Sequence, residues 1–224
     1  MTAVIRLQSD QFQLSRRRLL AAAGSAALVN LGSTGTAHAG LVLTPRQTAG
    51  PFYPKSLPLD SDNDLVQVKG EPHAALGTVT HVVGRLLDLN GRPVGGARIE
   101  IWQCDANGRY LHPRDSSGRP RDEGFQGYGQ TLTTADGAYR FRTIKPVPYP
   151  GRTPHIHFAI SGRGFDKLVT QMYVAGDPRN ATDMIYTAID AAARDRVTVP
   201  LIAAPEIEAN ALKGTFDIVL AAAV

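Results

Sequence analysis

From residue 79 onward, short runs of β-forming residues alternate with turn signals. The runs cover residues 79–89, 97–103, 130–133, 139–144, 155–160, 168–174, 197–202 and 216–220. The dipeptides Asn90-Gly91 and Asp136-Gly137 mark turns between them. The number and regularity of these runs predict an all-β domain, an antiparallel β-sandwich spanning residues 79–224. One or two helical turns are expected over 183–195, where Ile185, Ile189 and Ala192 recur at helical spacing. Residues 40–78 are rich in Pro and Gly with little periodicity and read as an extended N-terminal arm. Two long irregular segments, 105–129 and 145–154, interrupt the strands. Loops of that length in a compact domain are usually functional or disordered.

The N-terminus breaks the strand pattern. Ser15-Arg16-Arg17-Arg18-Leu19-Leu20 leads into an apolar stretch interrupted by Gly24, Asn30 and Gly32, which ends at Ala37-His38-Ala39, a small-x-small cleavage site. Residues 1–39 therefore read as a twin-arginine export signal, too short and weakly apolar for a membrane span. The mature protein is expected to be exported, to the periplasm or beyond, and to have no membrane association. This reading also changes the charge. The full chain carries a net +4, but four of its arginines (Arg6, Arg16, Arg17, Arg18) and one acid (Asp10) leave with the signal, so the mature chain is at +1. No electrostatic footprint for nucleic acid survives that loss. Cys104 is the single cysteine, which excludes an intrachain disulfide, a thiolate zinc cluster and an iron–sulfur site. It reads as a small buried hydrophobe, and Trp102, opposite in phase to Ile101, as a packing residue.

The candidate chemistry lies in and just before the run at 155–160. In His155-Ile156-His157-Phe158 the period of two puts both imidazoles on one face and Ile156 and Phe158 on the other, so both rings can reach one metal ion. A His-x-His pair alone is more often polar surface, and the neighbours make it persuasive. Tyr149 lies in Pro146-Val147-Pro148-Tyr149-Pro150-Gly151-Arg152-Thr153-Pro154, where four prolines stiffen the backbone that carries the phenol. His112 reads as a surface or supporting residue rather than a third imidazole ligand.

Three motifs resemble the intradiol ring-cleavage dioxygenases, in particular the protocatechuate-cleaving type. The segment Ile101-Trp102-Gln103-Cys104-Asp105-Ala106-Asn107-Gly108-Arg109-Tyr110 is similar to the one that supplies that family's first tyrosinate ligand. Pro148-Tyr149-Pro150 through His155-Ile156-His157-Phe158 resembles the segment supplying the second tyrosinate and both histidines. Thr170-Gln171-Met172-Tyr173 resembles the strand that follows. With the arm Thr48-Ala49-Gly50-Pro51-Phe52-Tyr53-Pro54, the likeness covers nearly the whole mature chain.

The resemblance implies Fe(3+) held by Tyr110, Tyr149, His155 and His157, with Tyr149 as the phenolate that leaves when substrate binds. It gives Arg152 the role of stabilising charge on the substrate ring, gives Gln171 that of orienting Arg152, and places Thr48, Gly50 and Pro51 against the substrate. The implied reaction joins a small aromatic diol with dioxygen to give a cis,cis-muconate-type diacid. Protocatechuate is the favoured substrate, and catechol and hydroxyquinol are alternatives. A metal-free secreted binding module is the rival from another class. An extradiol site is disfavoured because it needs a carboxylate beside two histidines, and none flanks His155-His157 closely. In the protocatechuate type the arm of one chain reaches the iron site of another. Arm and ligand set here share one chain, which implies a homo-oligomer or a chain using its own arm.

Overall fold

The computed structural model describes residues 41–58 and 60–221. The expected export signal lies outside the described residues. Strands form where the β-forming runs place them: β1 (Val79–Asp88), β2 (Arg98–Trp102), β3 (Tyr128–Leu132), β4 (Ala138–Ile144), β5 (His155–Ser161) and β6 (Leu168–Val174). The run at 197–202 divides into β7 (Thr198–Val199) and β8 (Ile202–Ala203), with Pro200 between them. Proline lacks the N–H that a continuous ladder requires, and the two pieces join different sheets. Strands β9 (Leu212–Thr215) and β10 (Ile218–Leu220) complete the set. The helical expectation over 183–195 reduces to one α-turn, α1 (Met184–Thr187), flanked by 3-10 segments at Pro178–Ala181 and Ala191–Arg196. Among the described residues no helix is long and apolar enough to cross a membrane.

Two five-stranded sheets result. One runs β3-β2-β5-β6-β7. In the other, β1 is flanked by β4 on one side and by β9 and β10, one after the other, on its opposite side. The all-β sandwich expected from sequence is present, but its strands are not purely antiparallel: β1 pairs in parallel with β9 and β10, and β6 with β7. The break between β9 and β10 has a steric cause. A Cβ on Gly84 would fall 2.0 Å from the carbonyl oxygen of Phe216, so only glycine lets the chain bulge there. The Asp136-Gly137 turn carries the chain from one sheet to the other instead of closing a hairpin, since β3 and β4 do not pair.

The core lies between the sheets. Ile99 and Ile101 of β2 and Ile156, Phe158 and Ile160 of β5 meet Val82 and Leu86 of β1 and Phe141 of β4. Phe158 makes edge-to-face contacts with Phe216, Phe141 and Tyr139 across the gap. A fully buried side chain of this size contributes roughly 1.5 to 3 kcal/mol. Leu65 and Val66, from the segment read as an arm, are also in this core. Because side chains alternate, filling the inner face with Ile156, Phe158 and Ile160 forces His155, His157 and Ala159 outward on β5. The same alternation puts Glu100 and Trp102 outward on β2 and, by pairing register, Gln171 and Tyr173 outward on β6. The site is built on that outer face.

Candidate active site

On this outer face the two imidazoles of β5 converge, with His155 Nε2 and His157 Nε2 3.2 Å apart. The tautomer of His155 is fixed, because its Nδ1 sits 2.6 Å from the carbonyl of Thr153, which can only accept. Its Nε2 is thus a bare lone pair directed at its neighbour. Burial, then the nearby Arg152 cation, pushes the His155 pKa down to about 3. Burial, then His155 and Arg152, holds that of His157 well below the usual imidazole range. Both rings are therefore neutral, the form that ligates metal. Trp102 lies flat on His157, ring centroids 4.8 Å apart and 5° from parallel. The packing role read for Trp102 thus falls on a candidate ligand.

Two phenols close on the imidazoles from the long loops. Tyr110 follows a turn organised by the buried Asp105, whose carboxylate accepts from the amides of Asn107, Arg109 and Asp122. The amide of Tyr110 itself donates to Asp115 at 2.7 Å. Tyr149 lies in the proline-stiffened segment and bridges back to Arg152. The Tyr110 and Tyr149 rings are 5.3 Å apart, Tyr149 is 5.5 Å from His155, and Tyr110 is 6.4 Å from His157. Burial, then the adjacent Tyr149, raises the Tyr110 phenol well above its ordinary value. Burial also raises Tyr149, while Arg152 pulls it back.

Six buried side-chain polar atoms lack a hydrogen-bond partner among the described residues, and three of them belong to Tyr110 (Oη), His157 (Nδ1) and Trp102 (Nε1). Unpaired buried polar atoms are rare and costly. A cation at the focus of the rings would satisfy the phenol and lower its pKa by its own charge. Two neutral imidazoles and two potential phenolates suit a hard cation in a high oxidation state. No group of three or more His, Cys, Asp or Glu side chains fit to hold a metal occurs among the described residues, so the carboxylate-containing extradiol ligand set has no counterpart.

Arg152 reaches the same place. Its guanidinium donates to Tyr149 Oη at 3.3 Å, to Gln171 Oε1 at 2.6 Å and to Asp183 Oδ2 at 2.8 Å. Gln171 in turn donates to the carbonyl of Thr48 at 3.0 Å. Because Arg152 only donates and that carbonyl only accepts, the amide orientation of Gln171 is determined. The arm thus meets the site within one chain. Gly50 has φ +65°, and a Cβ there would lie 3.4 Å from His157 Cε1. Phe52 stacks on Tyr110 at 4.5 Å and 23°. Pro51, by contrast, is exposed. His112 is buried and accepts from the Arg114 amide, outside the four converging rings, and Cys104 is buried as expected. Phe52, Asp183 and the stacking of Trp102 on His157 carried no decisive signal in the sequence.

A cavity of about 530 Å³ opens beside Tyr110. Phe52, Trp102 and Tyr128 form aromatic walls, and Lys55, Arg109 and Arg121 supply positive charge. A larger groove of about 850 Å³ lies between the arm, β6 and α1 and includes none of the four donors.

Residues 48–222 match a family model described as Dioxygenase. The protocatechuate 3,4-dioxygenase beta chain of Burkholderia cepacia is 45% identical over 172 residues, which cover 73% of this chain and 72% of that protein. The chain belongs to the intradiol ring-cleavage dioxygenases. Among other members, hydroxyquinol 1,2-dioxygenase of Nocardioides simplex is 32% identical, with 78% of this chain matching 63% of that one. Among solved structures, the dioxygenase domain of a dioxygenase carbohydrate-binding protein fusion from Streptomyces sp. SirexAA-E aligns over 81% of this chain and all of its own. It does so at 31% identity with a TM-score of 0.63. Catechol 1,2-dioxygenase from Acinetobacter sp. ADP1 aligns over 81% of this chain and 63% of its own, at 28% identity and TM-score 0.64.

Proposed function

We propose that the protein is a mononuclear non-haem iron(III) enzyme that opens a catechol-type ring between its two hydroxyl-bearing carbons, with dioxygen, to a cis,cis-muconate-type diacid. The observation that carries this reading is the convergence of two neutral imidazoles with two phenols, one of whose hydroxyls is buried without a partner among the described residues. Tyr110, Tyr149, His155 and His157 would hold the ion. Ferric iron, when bound, supplies a spin-permitted route between triplet dioxygen and a closed-shell catecholate.

The chain's own residues divide the remaining work. Thr153 fixes the His155 tautomer, and Trp102 fixes the plane of His157. Tyr110 is only 4% exposed and lies beneath Phe52, so it stays in place. Tyr149 is more accessible, and its hydroxyl accepts a long hydrogen bond from Arg152. It is the phenolate suited to leave, and Tyr149 Oη can take a proton from an incoming diol. The Arg152 guanidinium, steadied by Gln171, then stabilises negative charge developing on the ring.

For the substrate, a carboxylated catechol of the protocatechuate kind is favoured. The cavity beside Tyr110 is aromatic-walled and carries Lys55, Arg109 and Arg121; among the described residues Lys55 and Arg109 make no salt bridge, and Arg121 is shared with Glu123. The relative at 45% identity is named for the same substrate. The Arg16-Arg17-Arg18 leader supports export by the twin-arginine route, which moves proteins already folded. Visible absorption of the iron-loaded mature protein, repeated with protocatechuate in the absence of oxygen, tests the reading. A phenolate-to-iron(III) band that shifts on addition is expected. A protein that stays colourless after iron loading overturns the proposal, and a clear rate preference for uncharged catechol overturns the substrate assignment.

A further inference from the structure

The proposed reaction engages Arg152, and the structure places against that guanidinium a carboxylate 31 residues away in sequence. The Asp183 side chain is fully buried, at 0% exposure, and that of Arg152 is 12% exposed. Its Oδ1 caps α1, accepting from the amides of Ile185 and Tyr186, both at 2.9 Å. Its Oδ2 accepts from Arg152 Nε and from the amide of Thr153, both at 2.8 Å. One oxygen therefore holds both the cation and the backbone of Thr153, the residue whose carbonyl fixes His155. Asn180 supports the same corner, its Oδ1 accepting from the Thr153 hydroxyl at 2.7 Å.

The guanidinium is planar, so two short bonds fix it. With Nε on Asp183 at 2.8 Å and Nη2 on Gln171 at 2.6 Å, the direction of Nη1 is set. Among the described residues that third nitrogen makes only the long 3.3 Å hydrogen bond to Tyr149 Oη, the partner easiest to exchange. The buried carboxylate also offsets the cation, so Arg152 can be held beside two neutral imidazoles without an uncompensated charge. We infer that Asp183 is a positioning residue for the reaction: it locks Arg152 through Nε so that Nη1 can pass from Tyr149 to the bound catechol. This inference rests on the function proposed above.

The test compares iron-loaded wild type, Asp183→Asn and Asp183→Ser, each also with Arg152→Ala, for kcat, KM, iron content and melting temperature. Serine keeps the helix cap, an exchange among good capping residues, while withdrawing the oxygen that holds Arg152. Either single variant is expected to retain iron while kcat falls about a hundredfold, the scale of a mispositioned group, with a smaller change in KM. In the Arg152→Ala background the further loss is expected to be less than about twofold, because residues acting through one another are not additive. Loss of iron or folding in step with kcat in both variants would make Asp183 merely structural and overturn the inference, as would an equal fall with and without Arg152. A working wild type beside an unaffected Asp183→Ser variant removes this inference alone. A wild type that neither binds iron nor turns over removes it together with the proposed function.

Discussion

Tyr110 brings a hydroxyl among aromatic rings and leaves it without a hydrogen-bond partner among the described residues. An unsatisfied buried polar group costs about 1 to 3 kcal/mol, so removing it should not harm the metal-free protein. Tyr110→Phe is expected to melt at or above the wild-type temperature without metal, yet to lose iron affinity by roughly tenfold or more. Calorimetry of the metal-free protein and iron titration check the two halves, and a destabilised metal-free variant would show that the hydroxyl has a structural partner after all. The residue types of the site were legible in sequence. His155 and His157 were legible from strand phase and Tyr149 from its proline-stiffened segment. Tyr110, Arg152 and Gln171 were implied only by the resemblance of their motifs to the dioxygenases, and the six come together in the structure. Asp183 was not legible, since its partners Arg152 and Thr153 lie some thirty residues away and no local pattern links them.

Strand β9 shows how the elements depend on one another. Leu212-Lys213-Gly214-Thr215 has no alternation worth the name, and it is a strand because β1 offers an open edge to pair with. The loop that delivers it is pinned to the outer face of the same sheet by Glu208. Its carboxylate accepts from Arg142 of β4 at 2.6 and 2.8 Å and lies 2.9 Å from His81 Nε2 of β1, while Arg142 also pairs with Asp64. The hydrogen bond from Arg142 is the largest influence holding the Glu208 carboxyl at about 2, against its ordinary 4.5. A carboxyl depressed in the folded state contributes fully above its unfolded value and loses that contribution as pH falls toward the folded one. Stability should therefore decline between pH 4.5 and about 2, partly through this group. The Glu208 side chain is 30% exposed, so the loss at neutral pH in Glu208→Gln should be modest, about 1 kcal/mol or less. Urea unfolding across that pH range checks it, with a flatter acid limb expected for the variant.

At the scale of the whole molecule, the arm closes its own site. Thr44 exchanges two hydrogen bonds with Val219, the Gln47 amide donates to the Val169 carbonyl along the edge of β6, and the Thr48 carbonyl receives Gln171. One chain therefore holds every group assigned to the reaction. If the protein forms a homo-oligomer, turnover per iron should not change as it is diluted through dissociation. Activity measured against concentration, with sedimentation to follow assembly, tests this, and a rate that falls as subunits separate would mean that a neighbour completes the site. The sequence by itself determined the all-β class, the strand phases and the face on which His155 and His157 stand, because a period of two is a local property that burial of Ile156, Phe158 and Ile160 enforces. Tertiary structure alone decided the parallel pairing of β1 with β9 and β10, the division at Pro200 between two sheets, the stacking of Trp102 on His157 and the hold of Asp183 on Arg152. Each of these depends on which distant surface is presented, and hydrogen bonds between remote segments leave no periodic trace along the chain.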